Sequence, residues 1–186
     1  MEQTIVKPDT IRTLGPVDIR RLKALVGRVS DTVWQSENEG KENDFFCFHH
    51  TQHIIFRFIG GNRDHRDYYS NPIWSMWKNI LLPIMDAVVA PYGYTKPAYP
   101  KAMLARLAAG HIIDSHVDGA GSNLHTHKIH IPIQTNLGAI FYVNKVPHHL
   151  EEGMAYEVNN IVPHAVENFG QTDRIHFIFE VFDDIA

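Results

Sequence analysis

The chain has 186 residues, of which 44% are hydrophobic and 20% charged, the balance of one globular domain with a substantial core. Its formal net charge is −4 and it has no long basic run, so neither nucleic acid nor an anionic membrane is the expected partner. The single cysteine, Cys47, excludes an intrachain disulfide. The N-terminus lacks the basic flank and apolar core of a signal peptide, so we expect a cytoplasmic protein. No feature of the sequence indicates an oligomeric state.

The first hundred residues predict helices and a strand that support the rest of the chain. Residues 1–15 form an arm without a motif. A helix is predicted from Pro16, because proline is favoured in the first turn and apolar residues follow the helical period up to Val33. The stretch 45–59 contains a predicted strand, and Asn71-Pro72 is a typical helix start. Residues 60–70 form a long polar loop, with a substrate lid and a mobile surface loop as equal interpretations.

From residue 101 the hydrophobic period becomes that of β-strands. Each predicted strand is short and is bounded by glycine, proline or asparagine. Strands after helices predict a mainly β (α+β) fold, a sandwich or jelly roll backed by N-terminal helices. We expect one domain over residues 1–186, with 1–100 as support and 101–182 as the β core. The predicted strands lie near 102–109, 111–118, 127–134, 138–145, 153–158, 163–168 and 174–182.

Histidines and carboxylates between residues 111 and 174 indicate a metal site. Eight of the thirteen histidines lie between residues 111 and 164. His116 and Asp118 are two positions apart, so their side chains point to the same side of an extended strand. His164, from a distant strand, would complete a set of two imidazoles and one carboxylate. This set is the facial triad of iron(II) oxygenases, which leaves coordination positions open.

Other residues compete for these roles. The pair Asp114 and His116 has the same spacing as His116 and Asp118, and spacing alone does not choose between them. The segment Gly119-Ala-Gly121 favours the second pair, because ligands at a strand end beside a flexible loop can reach an open pocket. The alternatives to His164 as the distal ligand are His148, His149 and His176.

Arg174 lies ten residues after His164 and begins an otherwise apolar predicted strand. A guanidinium binds a carboxylate through two parallel hydrogen bonds. An arginine beside an iron site is therefore what a 2-oxoacid co-substrate requires. The structural alternative is a salt bridge to Asp173, Glu167 or Glu180.

The second half resembles the aspartyl/asparaginyl β-hydroxylase-like branch of the iron(II)/2-oxoglutarate oxygenases, which includes bacterial proline hydroxylases. The animal β-hydroxylases carry glycine where this chain has Asp118, so the chain is more similar to the bacterial amino-acid hydroxylases. The resemblance covers roughly residues 100–182 and rests on Arg106-Leu-Ala-Ala-Gly110, His116-Val-Asp118, His127-Lys-Ile-His-Ile-Pro-Ile-Gln-Thr-Asn136, Glu151-Glu-Gly153, Pro163-His-Ala-Val-Glu-Asn168 and Arg174.

The resemblance implies a fold, a site and a reaction. The fold is a double-stranded β-helix, the jelly roll also found in cupins. Iron(II) is held by His116, Asp118 and His164, and Arg174 binds the distal carboxylate of 2-oxoglutarate. His127 matches a family position near the co-substrate, and His130 takes that place if the alignment of this strand slips. The implied reaction uses O2 to hydroxylate an amino acid, free or within a peptide or protein, and releases succinate and carbon dioxide.

Two other classes of function stay open at this point. A cupin-like metalloenzyme that does not use 2-oxoglutarate would leave Arg174 structural and would recruit further ligands from His111, His125 or His127. A non-catalytic metal-binding module would hold its metal in a closed coordination shell. Neither class explains the ten-residue step from His164 to Arg174.

Overall fold

The computed structural model describes residues 5–119 and 121–185. The arm before residue 5 and Ala120 of the predicted glycine segment lie outside this part of the chain. The helices are α1 (Arg20–Val26), α2 (Asp31–Asn38) and α3 (Trp74–Val89). The strands are β1 (Ile11–Pro16), β2 (Thr51–Ile59), β3 (Tyr68–Ser70), β4 (Pro97–Ala98), β5 (Ala102–Leu107), β6 (His111–His116), β7 (His127–Gln134), β8 (Ala139–Val143), β9 (Val146–His148), β10 (Met154–Val158), β11 (His164–Asn168) and β12 (Arg174–Asp183).

These strands form two antiparallel sheets. The larger sheet has the order β1-β10-β7-β12-β5-β2-β3, with β4 added beside β12. The smaller sheet has the order β6-β11-β8-β9. Within the described residues, β1 to β4 come from the first hundred residues and extend the sheet that the second half builds. The predicted double-stranded β-helix backed by helices is confirmed.

The two faces of the larger sheet pack against different partners. Alternate residues such as Ile129, Ile131 and Phe177 point to one face, where they form the main core with the helices. The opposite face meets the smaller sheet through a second apolar cluster that includes Leu107 and Phe141. The residues that alternate with these along the same strands, above all in β7 and β12, point to the opposite face and therefore lie between the two sheets.

The helix predicted from Pro16 is wrong in its start and in its continuity. Pro16 ends β1, and α1 begins only at Arg20. The chain then leaves the helix at Gly27 and starts α2 after Ser30, whose hydroxyl accepts a hydrogen bond from the Val33 amide at 3.3 Å. The apolar period continues through both helices, so it does not reveal the break that the serine cap produces.

The polar segment 60–70 is packed against its neighbours. It contains a single 3-10 turn (Gly60–Asn62) and β3, and its backbone approaches the segment after Gly119: Ser122 Oγ donates to the Asn62 carbonyl at 3.3 Å. The buried ring of His65 lies 4.4 Å from that of Phe182, centroid to centroid. Among the described residues, no helix is long and apolar enough to cross a membrane.

Candidate metal centre

Strand pairing brings the three predicted ligands together. His116 ends β6, and its cross-strand partner on β11 is His164. Asp118 lies just beyond β6, where its backbone N–H donates to the Asn160 carbonyl at 2.9 Å. Asp118 Oδ1 is 3.7 Å from His116 Nε2 and 3.8 Å from His164 Nε2. One ligand atom from each side chain lies within 4.8 Å of the others, and the described residues contain no second group of three.

Backbone carbonyls orient both imidazoles. His116 Nδ1 lies 2.8 Å from the Asp114 carbonyl, and His164 Nδ1 lies 2.9 Å from that of Val162. Each Nδ1 therefore donates, which turns each Nε2 toward Asp118. Burial lowers the pKa of His164 to about 4, so this ring is neutral at pH 7. Asp114 contacts His116 through its backbone oxygen, whereas the carboxylate that lies near both imidazoles is that of Asp118.

Asp118 uses its two carboxylate oxygens differently. Oδ2 accepts hydrogen bonds from the Lys128 ammonium and, at 2.9 Å, from Asn160 Nδ2. Oδ1 faces the two imidazoles. Burial alone would raise the pKa of Asp118, but the charge of Lys128 and the hydrogen bonds from Lys128 and Asn160 outweigh burial and lower it. The carboxylate is thus ionised and offers one oxygen to a metal.

The three side chains line a cavity of about 250 Å³ between the sheets. Arg174 and Thr51 line it where β5 ends at Leu107, the residue with which both of them pair. Lys101, Asn43 and Asn62 also line it, around the apolar side chains of Phe58 and Met103, and Lys101 precedes the other end of β5. Asp118 of the triad lies toward this second end, because its partner Lys128 pairs with Glu180, which Lys101 contacts.

Arg174 is buried without an acidic partner among the described residues. It is 2% exposed, its Nη2 lies 2.8 Å from His176 Nδ1, and its guanidinium lies 5.9 Å from the centre of the Phe141 ring. Burial lowers its pKa to about 9. The three acids considered as structural partners lie elsewhere: Glu180 near Lys101 (3.2 Å), Asp173 near Arg106 (3.9 Å) and Glu167 near Tyr142 (3.0 Å).

His127 and His130 lie on opposite faces of β7. His130 lines the cavity, with its Nδ1 3.4 Å from that of His176. His127 faces the helices, where its Nδ1 donates to Glu157 Oε1 at 2.6 Å and its ring packs near Tyr92. Three positions separate the two histidines, so the strand's twofold alternation divides them. Of the two, His130 lines the cavity and His127 does not, while the identity of the histidine next to the co-substrate stays a prediction.

The other histidines that compete for a ligand role lie away from the triad. His176 points into the space between the sheets but bonds to Arg174. His111 begins β6, and its ring lies tilted against that of His50 at 4.3 Å, while His125 stacks on His65 at 5.1 Å, both centroid distances. His148 ends β9, and His149 Nδ1 bonds to the Ala139 carbonyl at 3.3 Å.

Sequence reasoning missed Thr51 of β2, and it left His53 of the same strand as structural or substrate-facing. Thr51 and His53 are buried and line the cavity, and no described protein atom hydrogen-bonds to Thr51 Oγ1 or His53 Nδ1. Thr51 pairs with Leu107, which on its other side pairs with Arg174. Thr51 and Arg174 thus share one row and one face of the sheet. Their separation by more than 120 residues leaves no local signal, although the alternation along β2 placed Thr51 and His53 on one side.

Comparison with known proteins decides the family. The model of the family described as aspartyl/asparaginyl beta-hydroxylase matches residues 64–184. The chain belongs to this family. The resemblance inferred from the motifs is thereby confirmed, while the closeness to the bacterial branch stays a prediction. No curated protein matches the sequence of this family member closely enough to count as a relative.

Two solved structures share the fold of this family member. An oxidoreductase of the 2OG-Fe(II) oxygenase family from Burkholderia pseudomallei is similar over 89% of this chain and 78% of its own, with 15% identity and a TM-score of 0.63. AviO1 from Streptomyces viridochromogenes Tue57 is similar over 97% of this chain and 92% of its own, with 14% identity and a TM-score of 0.57. At such identities the likeness establishes the fold alone.

Proposed function

We propose that this protein is an iron(II)- and 2-oxoglutarate-dependent dioxygenase that hydroxylates an amino acid, either free or as a residue of a peptide or protein. The observation that carries the proposal is a buried arginine without an acidic partner in the same cavity as a His-Asp-His triad. Membership of the aspartyl/asparaginyl β-hydroxylase family supports the reaction type.

The ligand atoms suit an iron(II) ion. His116 and His164 offer Nε2 atoms and Asp118 offers one anionic oxygen, which is the donor set of the facial triad. Three protein ligands would leave positions open for the co-substrate and O2. When bound, iron supplies the activation of O2 that no side chain of the protein can provide.

The Arg174 end of the cavity suits the distal carboxylate of 2-oxoglutarate. A buried guanidinium is costly without an anion, and a carboxylate would provide two charge-assisted hydrogen bonds. The Thr51 hydroxyl lies in the same row of the sheet and has no hydrogen-bond partner among the described residues, so it can donate to the same carboxylate. Burial lowers the pKa of both His130 and His176. Both rings stay neutral and leave the positive charge of Arg174 for the anion.

The opposite end of the cavity suits the substrate. Lys101 is 5% exposed, and its ammonium, 3.2 Å from Glu180 Oε1, has further N–H groups that can donate to a substrate carboxylate. Asn43 is equally buried, and its Oδ1 has no described hydrogen-bond partner. Phe58 and Met103 lie between these polar groups and exclude water from an aliphatic or ring carbon. This mixture of a cation, amide oxygens and an apolar wall fits an amino acid.

The experiment is an assay for succinate. The protein, iron(II), ascorbate and 2-oxoglutarate are incubated with each free amino acid and with a set of peptides, and succinate is quantified. We expect slow succinate release without substrate and faster release with one class of compound. The hydroxylated product is then identified by mass spectrometry.

Controls separate this function from its rivals. Thr51→Val and Arg174→Met should weaken 2-oxoglutarate binding while metal binding persists. If 2-oxoglutarate neither binds nor is consumed, the oxygenase proposal fails and a metalloenzyme of the cupin type that does not use 2-oxoglutarate becomes the better account.

A further inference from the structure

A buried ammonium contacts the carboxylate that belongs to the metal triad. Lys128 projects from β7 into the cavity, and its Nζ donates to Asp118 Oδ2. Its other acidic neighbour is Glu180, whose Oε1 is 3.8 Å from Nζ. The side chains of Lys128 and Asp118 are only 18% and 15% exposed, so water screens this pair poorly.

A second donor holds the same oxygen. Asn160 Nδ2 lies 2.9 Å from Asp118 Oδ2 and also 2.9 Å from Asn123 Oδ1. Its own Oδ1 accepts from the Lys7 ammonium at 2.7 Å, which fixes the orientation of the amide. Lys128 and Asn160 thus occupy one oxygen of Asp118 and leave Oδ1 toward the histidines. The two donors differ in one respect, because only Lys128 carries a charge.

This charge has opposite consequences before and after a metal binds. In the metal-free protein the ammonium compensates the buried Asp118 carboxylate, which would otherwise be costly. A divalent cation at the triad instead meets a fixed positive charge on the far side of its carboxylate ligand, and like charges repel in a poorly screened site. Lys128 therefore stabilises the arrangement of the triad in the metal-free protein and opposes the binding of a metal ion to it.

We propose that Lys128 is a positioning residue that takes the place of the metal's charge in the metal-free protein, keeps Asp118 a one-oxygen ligand and weakens metal binding. The inference rests on the proposed function only in taking the triad as the metal site. It predicts that removal of Lys128 strengthens metal binding, whereas loss of a purely structural contact would weaken it.

The test is calorimetric titration of Mn(II) into the full-length protein without 2-oxoglutarate. Lys128→Met should bind Mn(II) about tenfold more tightly than the wild type, the size of effect that outer-shell partners commonly have. Its metal-free melting temperature should fall, and the rise in melting temperature on adding Mn(II) should grow. Lys128→Arg keeps the charge and should retain the wild-type affinity.

Two further variants serve as controls. Asn160→Leu removes the uncharged donor and should weaken Mn(II) binding, opposite in sign to Lys128→Met. Lys101→Met removes another buried ammonium of the cavity, one that contacts Glu180 rather than Asp118, and should change the affinity less. If Lys128→Met does not fold, Lys128→Gln carries the same predicted sign.

The outcomes separate the inference from the function on which it rests. Equal or weaker Mn(II) binding by the folded Lys128→Met variant overturns the role of Lys128 and leaves the oxygenase proposal standing. Failure of the wild type to bind Mn(II) overturns the metal centre itself.

Discussion

The two faces of the larger sheet each bury a polar cluster, and the clusters differ in how completely they are paired. On the helical face, Glu157 accepts hydrogen bonds from Arg12, from Tyr92 at 2.6 Å and from His127 at 2.6 Å. On the cavity face, Arg174 has no acidic partner and Thr51 has no hydrogen-bond partner among the described residues. One strand, β7, contributes to both clusters.

The contrast distinguishes a structural cluster from a binding site. A fully paired buried cluster adds to stability and offers nothing to a ligand. An incompletely paired cluster costs stability that only a bound partner can repay. Substitutions in the paired cluster around Glu157 should therefore lower stability and spare ligand binding, and substitutions of Arg174 or Thr51 should do the reverse.

The largest expected effect comes from exchanging one histidine on each face for alanine. His164→Ala should weaken Mn(II) binding on the order of 100-fold, because one of three ligands is lost, and should leave unfolding nearly unchanged. His127→Ala should keep the wild-type Mn(II) affinity and lose about 3 kcal/mol of stability, since Glu157 loses a buried donor. Calorimetry and urea unfolding of both variants check the pair. Loss of metal binding in His127→Ala would contradict the division between faces.

Glu157→Gln tests the paired cluster itself. The variant removes the charge that three donors share, and we expect a loss of about 2 kcal/mol at pH 7. Urea unfolding measures this loss, and Mn(II) titration should show an unchanged affinity. A variant as stable as the wild type would mean that the cluster contributes nothing beyond its packing.

The same cluster predicts how stability depends on pH. Burial alone would raise the pKa of Glu157, but hydrogen bonds from His127 and Tyr92 outweigh burial and lower it below its ordinary 4.5. A lowered pKa stabilises the folded state fully above 4.5, and this contribution is lost as the pH falls through the folded-state value. The stability gap between wild type and Glu157→Gln should thus shrink below about pH 4.5. Urea unfolding from pH 7 to acid measures it, and a constant gap would refute the assignment.

The smallest expected effects come from removing one hydroxyl on each face. Tyr92→Phe deletes a satisfied hydrogen bond and should cost about 1 kcal/mol of stability. Thr51→Val deletes a hydroxyl without a protein partner, so stability should stay the same or rise, while the affinity for 2-oxoglutarate falls several-fold. A destabilised Thr51→Val would show that the hydroxyl has a structural role.

Local periodicity predicts the strands of the second half well. The predicted strand near 127–134 coincides with β7, and the one near 174–182 differs from β12 by one residue. The same periodicity cannot distinguish one helix from two when a serine cap interrupts it, as at Ser30. It also misses β1, since a short strand at the edge of a sheet needs few apolar residues.

The candidate site could be predicted only where its chemistry is local. The spacing of His116, Asp118 and His164 suggested a metal site, and the glycines after Asp118 together with the family resemblance favoured Asp118 over Asp114. Spacing alone did not choose between them, and the structure puts the Asp118 carboxylate beside both imidazoles. Which of His127 and His130 faces the cavity depends on which face of β7 the helices cover. Thr51 joins Arg174 only through the pairing of three strands, and that pairing has no signature in a single sequence.

The central claim is that Arg174 is held without an anion so that it can bind 2-oxoglutarate. The most direct measurement is calorimetric titration of 2-oxoglutarate into Mn(II)-loaded wild type and Arg174→Met, with thermal unfolding of both ligand-free proteins. We expect the wild type to bind and the variant to lose affinity on the order of 100-fold without melting at a lower temperature, because a buried, unpaired charge has been removed. Equal affinity in the two proteins, or a wild type that does not bind 2-oxoglutarate, would contradict the account.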